Sequence, residues 1–268
     1  IFLSAMNTVG IAPTVCLMGN DTVFTLKATP GAEGGMVAST GANATDVDEQ
    51  GWIYNTEMGG LFPIPEVMLS EGERILLRDR TDGSGVKLED LISGRWLPRV
   101  FEGFILALNQ HGIEELDGLT RLLKERNSDH HSFFSGQDLC RYLKNTSEPC
   151  PKLHALGLGA TTPVLKNVAK LVVRRAGKLA GLMGYICLHH PLSRKHDVIL
   201  SLDSTQALHL EGYFGEMQRT LSELAGREKR VKVVLQRPCG AVTVPMKGLA
   251  AALLEELLFI QTPRGRGF

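Results

Sequence analysis

Asn20-Asp21-Thr22 follows the β-branched and apolar run Thr14-Val15-Cys16-Leu17-Met18, so a carboxylate stands where a buried strand gives way to a helix. A carboxylate held on a rigid element in this way is placed to act on a bound hydroxyl. The alternative role for Asp21 is to cap the following helix, since Asp and Asn are favoured N-caps. Downstream, the strand-like Gly35-Met36-Val37-Ala38 runs into Ser39-Thr40-Gly41-Ala42-Asn43, a turn of small residues. A third run, Trp52-Ile53-Tyr54, delivers Asn55-Thr56-Glu57. Small residues with free backbone N–H groups suit a phosphate, and an Asn and a Glu suit sugar hydroxyls.

The elements that must position these groups follow from the pattern of the chain. A helix closed by Gly10 and a strand over 14–18 lead to a helical stretch that ends near Ala28, and Pro30-Gly31 turns the chain. Strands over about 35–40, 43–48 and 52–57, joined by short polar turns, read as an antiparallel meander. From Val86 the pattern is helical, with Leu88, Leu91 and Ile92 at i, i+3 and i+4. Pro98 is expected to end or kink that helix before the pattern resumes over 99–110. Helices over 113–126 and 164–189 come next. Then strand 198–203, helix 208–225, strand 231–235 and helix 248–260 alternate. A meander followed by alternation predicts an α/β protein with a mixed sheet flanked by helices on both faces.

Composition narrows the function classes. The chain has 268 residues with 29 basic and 29 acidic, so its net charge of zero offers no electrostatic case for nucleic acid or an anionic membrane. Hydrophobic residues make up 43%, enough for one sizeable core. The uncharged opening stretch 1–20 is interrupted by Gly10, Pro13 and polar residues, which argues against a membrane span. Five cysteines without metal-ligand spacing fit a reduced, cytoplasmic setting. The pairs His130-His131 and His189-His190 lack supporting carboxylate or Cys spacing, so no metal ligand is assigned.

Asn20-Asp21-Thr22-Val23, Ser39-Thr40-Gly41-Ala42-Asn43, Asn55-Thr56-Glu57 and Leu91-Ile92-Ser93-Gly94-Arg95 together resemble the motif series of the eukaryotic, fungal-like hexokinase family, in the same order. The resemblance implies the large, C-terminal lobe of the actin-like ATPase (ribonuclease H-like) fold, with 1–28 closing a small lobe and carrying the catalytic loop and 29–268 forming the large lobe. It implies a small lobe upstream of Ile1, and a hexose, ATP and Mg²⁺ as partners. By the same resemblance Asp21 is the catalytic base, and Asn20, Asn43, Glu57 and Glu89 bind sugar hydroxyls. Ser39, Thr40 and Gly41 stand where the family has Gly-Thr-Gly at the ATP phosphates, and Gly248 opens the helix that packs on adenosine. Val173 lies where members carry a nucleotide-contacting hydroxyl. The departures at Val173 and over 239–248 leave the nucleotide side more eroded than the sugar side, so a non-catalytic, sugar-binding regulatory protein is the alternative reading.

Overall fold

The computed structural model describes residues 20–79, 83–126, 132–144, 151–159, 162–238, 243–244 and 246–252. The expected meander forms as β1 (Gly34–Ala38), β2 (Ala42–Val47) and β3 (Ile53–Asn55), each antiparallel to the one before. β4 (Asp197–Asp203) pairs parallel with β1, and β5 (Arg230–Leu235) pairs parallel with β4. The sheet order is therefore β3-β2-β1-β4-β5, a mixed sheet.

The helices are α1 (Asp21–Lys27), α2 (Met58–Leu61), α3 (Ile75–Asp79), α4 (Leu88–Ile92), α5 (Leu97–Gln110) and α6 (Asp117–Arg126). They continue as α7 (Gly136–Leu143), α8 (Pro151–Ala155), α9 (Thr162–Cys187), α10 (His189–Arg194), α11 (Thr205–His209) and α12 (Tyr213–Ala225). Adjacent residues of a strand face opposite sides of a sheet. A Cβ on Gly35 would meet Leu26 and the Thr22 carbonyl of α1, whereas one on Gly34 would meet Cys187 and Leu188 at the end of α9. Helices therefore cover both faces. The core joins Met36 and Ala44 of the sheet to Leu165, Val168, Val172 and Met183 of α9 and to Phe101 and Ile105 of α5.

Two helix boundaries differ from expectation. The helix containing Leu88 ends at Ile92, ahead of Pro98, and Pro98 then sits in the first turn of α5, where its missing N–H costs no hydrogen bond. The helix expected over 208–225 is two helices, because the chain breaks at Gly212, whose φ of +91° is open to glycine and strained for other residues. The helix and strand expected within 1–18 lie outside the described residues; of the last helix, residues 246–252 are helical.

Candidate functional site

The start of α1 settles what Asn20 and Asp21 each do locally. Asn20 is the N-cap, its Oδ1 accepting from the Thr22 N–H at 3.0 Å. The same oxygen accepts from Thr22 Oγ1 at 2.8 Å, and Thr22 Oγ1 accepts in turn from Thr45 Oγ1 at 2.5 Å. Thr22 and Thr45 are fully buried, so this relay fixes the helix start to the centre of β2. Capping therefore falls to Asn20. Asp21 is exposed, and its Oδ1 accepts from the adjacent Thr22 N–H.

A second network forms where β2 begins and β3 ends. Asn43 Nδ2 donates to Asn55 Oδ1 at 2.7 Å and to Glu57 Oε1 at 3.2 Å, and Asn55 Nδ2 also donates to Glu57 Oε1. Glu57 has a φ of +48°, the one non-glycine residue in left-handed backbone among those described. Such a conformation costs of order 1 kcal/mol in a residue with a Cβ and recurs at functional sites. Glu89 on α4 reaches across to accept from the Ala42 N–H at 3.3 Å.

These residues meet around one cavity of about 520 Å³, whose lining includes Asn20, Asp21, Asn43, Glu57, Glu89 and the turn Ser39-Thr40-Gly41. Register explains the meeting. Val37 on β1 stands abreast of Asn43 on one side and Asp203 on the other, at the carboxyl ends of β1 and β4. Open α/β sheets bind ligands outside the carboxyl ends of their parallel strands. Asp203 lines the cavity too; burial, and then the negative charge of Asp21, hold its carboxyl above the usual carboxylate range. Sequence reasoning gave Asp203 no role and named Asn55 only within the Asn55-Thr56-Glu57 motif. The signal for Asp203 was present, since Asp203-Ser204-Thr205 ends a strand and starts a helix just as Asn20-Asp21-Thr22 was expected to do.

A larger cavity of about 900 Å³ adjoins the first and shares Ser39 and Thr40 with it. It lies between the Ser93-Gly94 turn, α7 and α11, with Arg141, Lys144 and His209 among its polar lining and Leu97, Leu139 and Leu210 among its apolar lining. Gly248 lines neither cavity. It packs against α1 instead, where a Cβ would stand 1.6 Å from the Phe24 carbonyl oxygen, which explains a glycine there by close approach. Val173 is fully buried in the core and also lines neither cavity. The loop 239–242 lies outside the described residues. No described group of three or more His, Cys, Asp and Glu side chains is arranged to hold a metal ion. No described helix is long and apolar enough to cross a membrane.

No family model matches the sequence, and no curated protein matches it either. The structure, in contrast, superposes on a hexokinase from Schistosoma mansoni complexed with glucose, with a TM-score of 0.69 over 93% of this chain at 17% identity. The chain has a hexokinase-like fold. A second hexokinase crystal structure matches with a TM-score of 0.68, also over 93% of this chain and at 17% identity. This chain spans 60% of the first hexokinase and 57% of the second. The mixed sheet flanked by helices is thus of the actin-like ATPase type.

Proposed function

We propose that this chain carries the sugar-binding residues and the base of a hexokinase-type phosphotransferase, which moves the terminal phosphoryl group of ATP to a hydroxyl of a glucose-like hexose. The observation that carries the reading is the convergence of Asp21, Asn20, Asn43, Glu57 and Glu89 on one cavity at the carboxyl ends of β1 and β4. Transfer of a phosphoryl group asks for positioning, charge neutralisation and a base rather than covalent help. Glu57 and Glu89 accept hydrogen bonds from sugar hydroxyls, and Asn43, itself held by Glu57 and Asn55, orients the ring. The amide Nδ2 of Asn20 makes no hydrogen bond among the described residues and is available to a sugar oxygen. Asp21 takes the proton of the attacking hydroxyl on a carboxylate oxygen. Because Asp21 is exposed, efficient transfer needs a further surface that closes over the cavity and excludes water.

ATP belongs in the larger cavity, with its phosphates toward Ser39, Thr40 and Gly41 and with Arg141, Lys144 and His209 offering positive charge. Mg²⁺ is held in such sites by one or two carboxylates together with substrate phosphates, and Asp203, beside Asp21, fits that donor set. When bound, the ion neutralises phosphate charge.

Calorimetric titration with glucose tests the reading. A saturable signal is expected, weakened about tenfold or more in Glu57→Gln, the loss expected for a charge-assisted hydrogen bond. Where sugar phosphate forms from ATP and Mg²⁺, Asp21→Asn lowers its rate by about 10²–10⁴-fold. No glucose binding by the wild type overturns the proposal. Glucose binding with no sugar phosphate formed favours the sugar-binding regulatory protein.

A further inference from the structure

Two segments of chain border both cavities, and those segments are tied together by a pair of hydroxyls. Ser39, in the β1–β2 turn, lines both cavities. On the segment leading from β4 into α11, Asp203 lines the smaller cavity, while Thr205 and Gln206 line the larger one. Between them Ser39 Oγ and Thr205 Oγ1 stand 2.6 Å apart in a hydrogen bond that either can donate. This pair lies where the two cavities adjoin.

The backbone at Ser39 cannot retreat to open that junction. Its N–H donates to the Gly41 carbonyl at 2.8 Å, and its carbonyl accepts from the Gly94 N–H at 2.7 Å and from Gln206 Nε2 at 3.0 Å. A Cβ on Gly94 would stand 2.0 Å from Gln206 Nε2, so a side chain there would push aside the amide that bonds to the Ser39 carbonyl. Its own turn and two other segments therefore clamp the main chain of Ser39, and what is left to move is its hydroxyl. We propose that Ser39 is a specificity-determining residue of this cleft: its bond to Thr205 closes the junction and must break before the terminal phosphate of a nucleotide in the larger cavity can approach Asp21. The inference rests on the proposed assignment of nucleotide to the larger cavity and hexose to the smaller.

The consequence is selective. Removing one exposed, neutral hydrogen bond that opposes a ligand raises affinity for that ligand by about twofold to tenfold. It leaves the Gly94 and Gln206 bonds to the Ser39 carbonyl in place, because those belong to the main chain.

The test titrates Mg-ATP into the wild type, Ser39→Ala and Ser39→Gly, with circular dichroism melting to verify that each variant is folded. Glucose is titrated separately into the wild type. Nucleotide dissociation constants lower by about twofold to tenfold in both variants are the expected result. Unchanged or weaker nucleotide binding in a folded variant overturns the latch. Absence of nucleotide binding in all three proteins, with glucose still bound by the wild type, overturns it as well and leaves the hexose assignment standing. Tighter nucleotide binding in the variants without glucose binding by the wild type supports the latch and removes the hexose assignment.

Discussion

Asp203 shows how one residue reports on the cavity it lines. Its carboxyl is held above its ordinary range, first by burial and then by the nearby charge of Asp21. A carboxyl that binds its proton more tightly in the folded state than in the unfolded chain destabilises the fold once it ionises. The cost is absent below the unfolded pKa, near 3.8, and grows as pH rises through the folded value. Asp203→Asn should therefore unfold at a higher temperature than the wild type at neutral pH, with the difference shrinking to nothing near pH 3. Melting curves at several pH values decide this; a difference that does not depend on pH would exclude the mechanism. Glu57 carries the other residue-scale signal, because its left-handed backbone is retained where glycine would be relaxed. Its carboxylate, bound by Asn43 and Asn55, gives a reason for keeping the side chain.

At the scale of elements, the site depends on how closely α1 lies on β1. A Cβ on Gly35 would stand 2.4 Å from the Thr22 carbonyl oxygen and 2.8 Å from the Leu26 nitrogen. Both are backbone atoms of a helix, so neither moves aside cheaply. Gly35→Ala should cost about 1–3 kcal/mol, the usual penalty of overpacking, and should lift α1 off the sheet. Since α1 carries Asp21 and is capped by Asn20, glucose affinity should fall together with stability. Denaturant unfolding and calorimetry on the same variant check both. Loss of stability with unchanged glucose affinity would show that α1 does not position the sugar.

For the whole molecule, ligand binding and folding are linked. A ligand that binds the folded state alone stabilises it by about 2.7 kcal/mol at a concentration one hundred times its dissociation constant. Saturating glucose should therefore raise the melting temperature of the wild type, and should leave a variant combining Asn43→Ala with Glu57→Gln unmoved. An equal rise in both proteins would mean that glucose acts elsewhere or through the solvent.

The meander was legible in the chain because hairpins are local: strand-like runs joined by short polar turns place β1, β2 and β3 within 22 residues, from Gly34 to Asn55. Asp21, Asn43 and Glu57 were singled out by the ordered motifs that resemble the hexokinase series, each of which is a short local stretch. The long helix α9 was equally plain, its apolar stripe repeating over many turns. Parallel pairing is different, because the strands it joins need not be near in sequence and their register leaves no mark in either one alone. Only the folded chain set β4 beside β1, brought Asp203 level with Asn43, and met Ser39 with Thr205. Gly248 is expected to open a helix, and only tertiary packing shows the backbone of α1 that it lies against. The local elements of the site were thus decided by side-chain periodicity and turn chemistry. The two adjoining cavities, the carboxylate beside Asp21 and the hydroxyl bond between Ser39 and Thr205 were decided by tertiary contact between segments too far apart for any local pattern to encode.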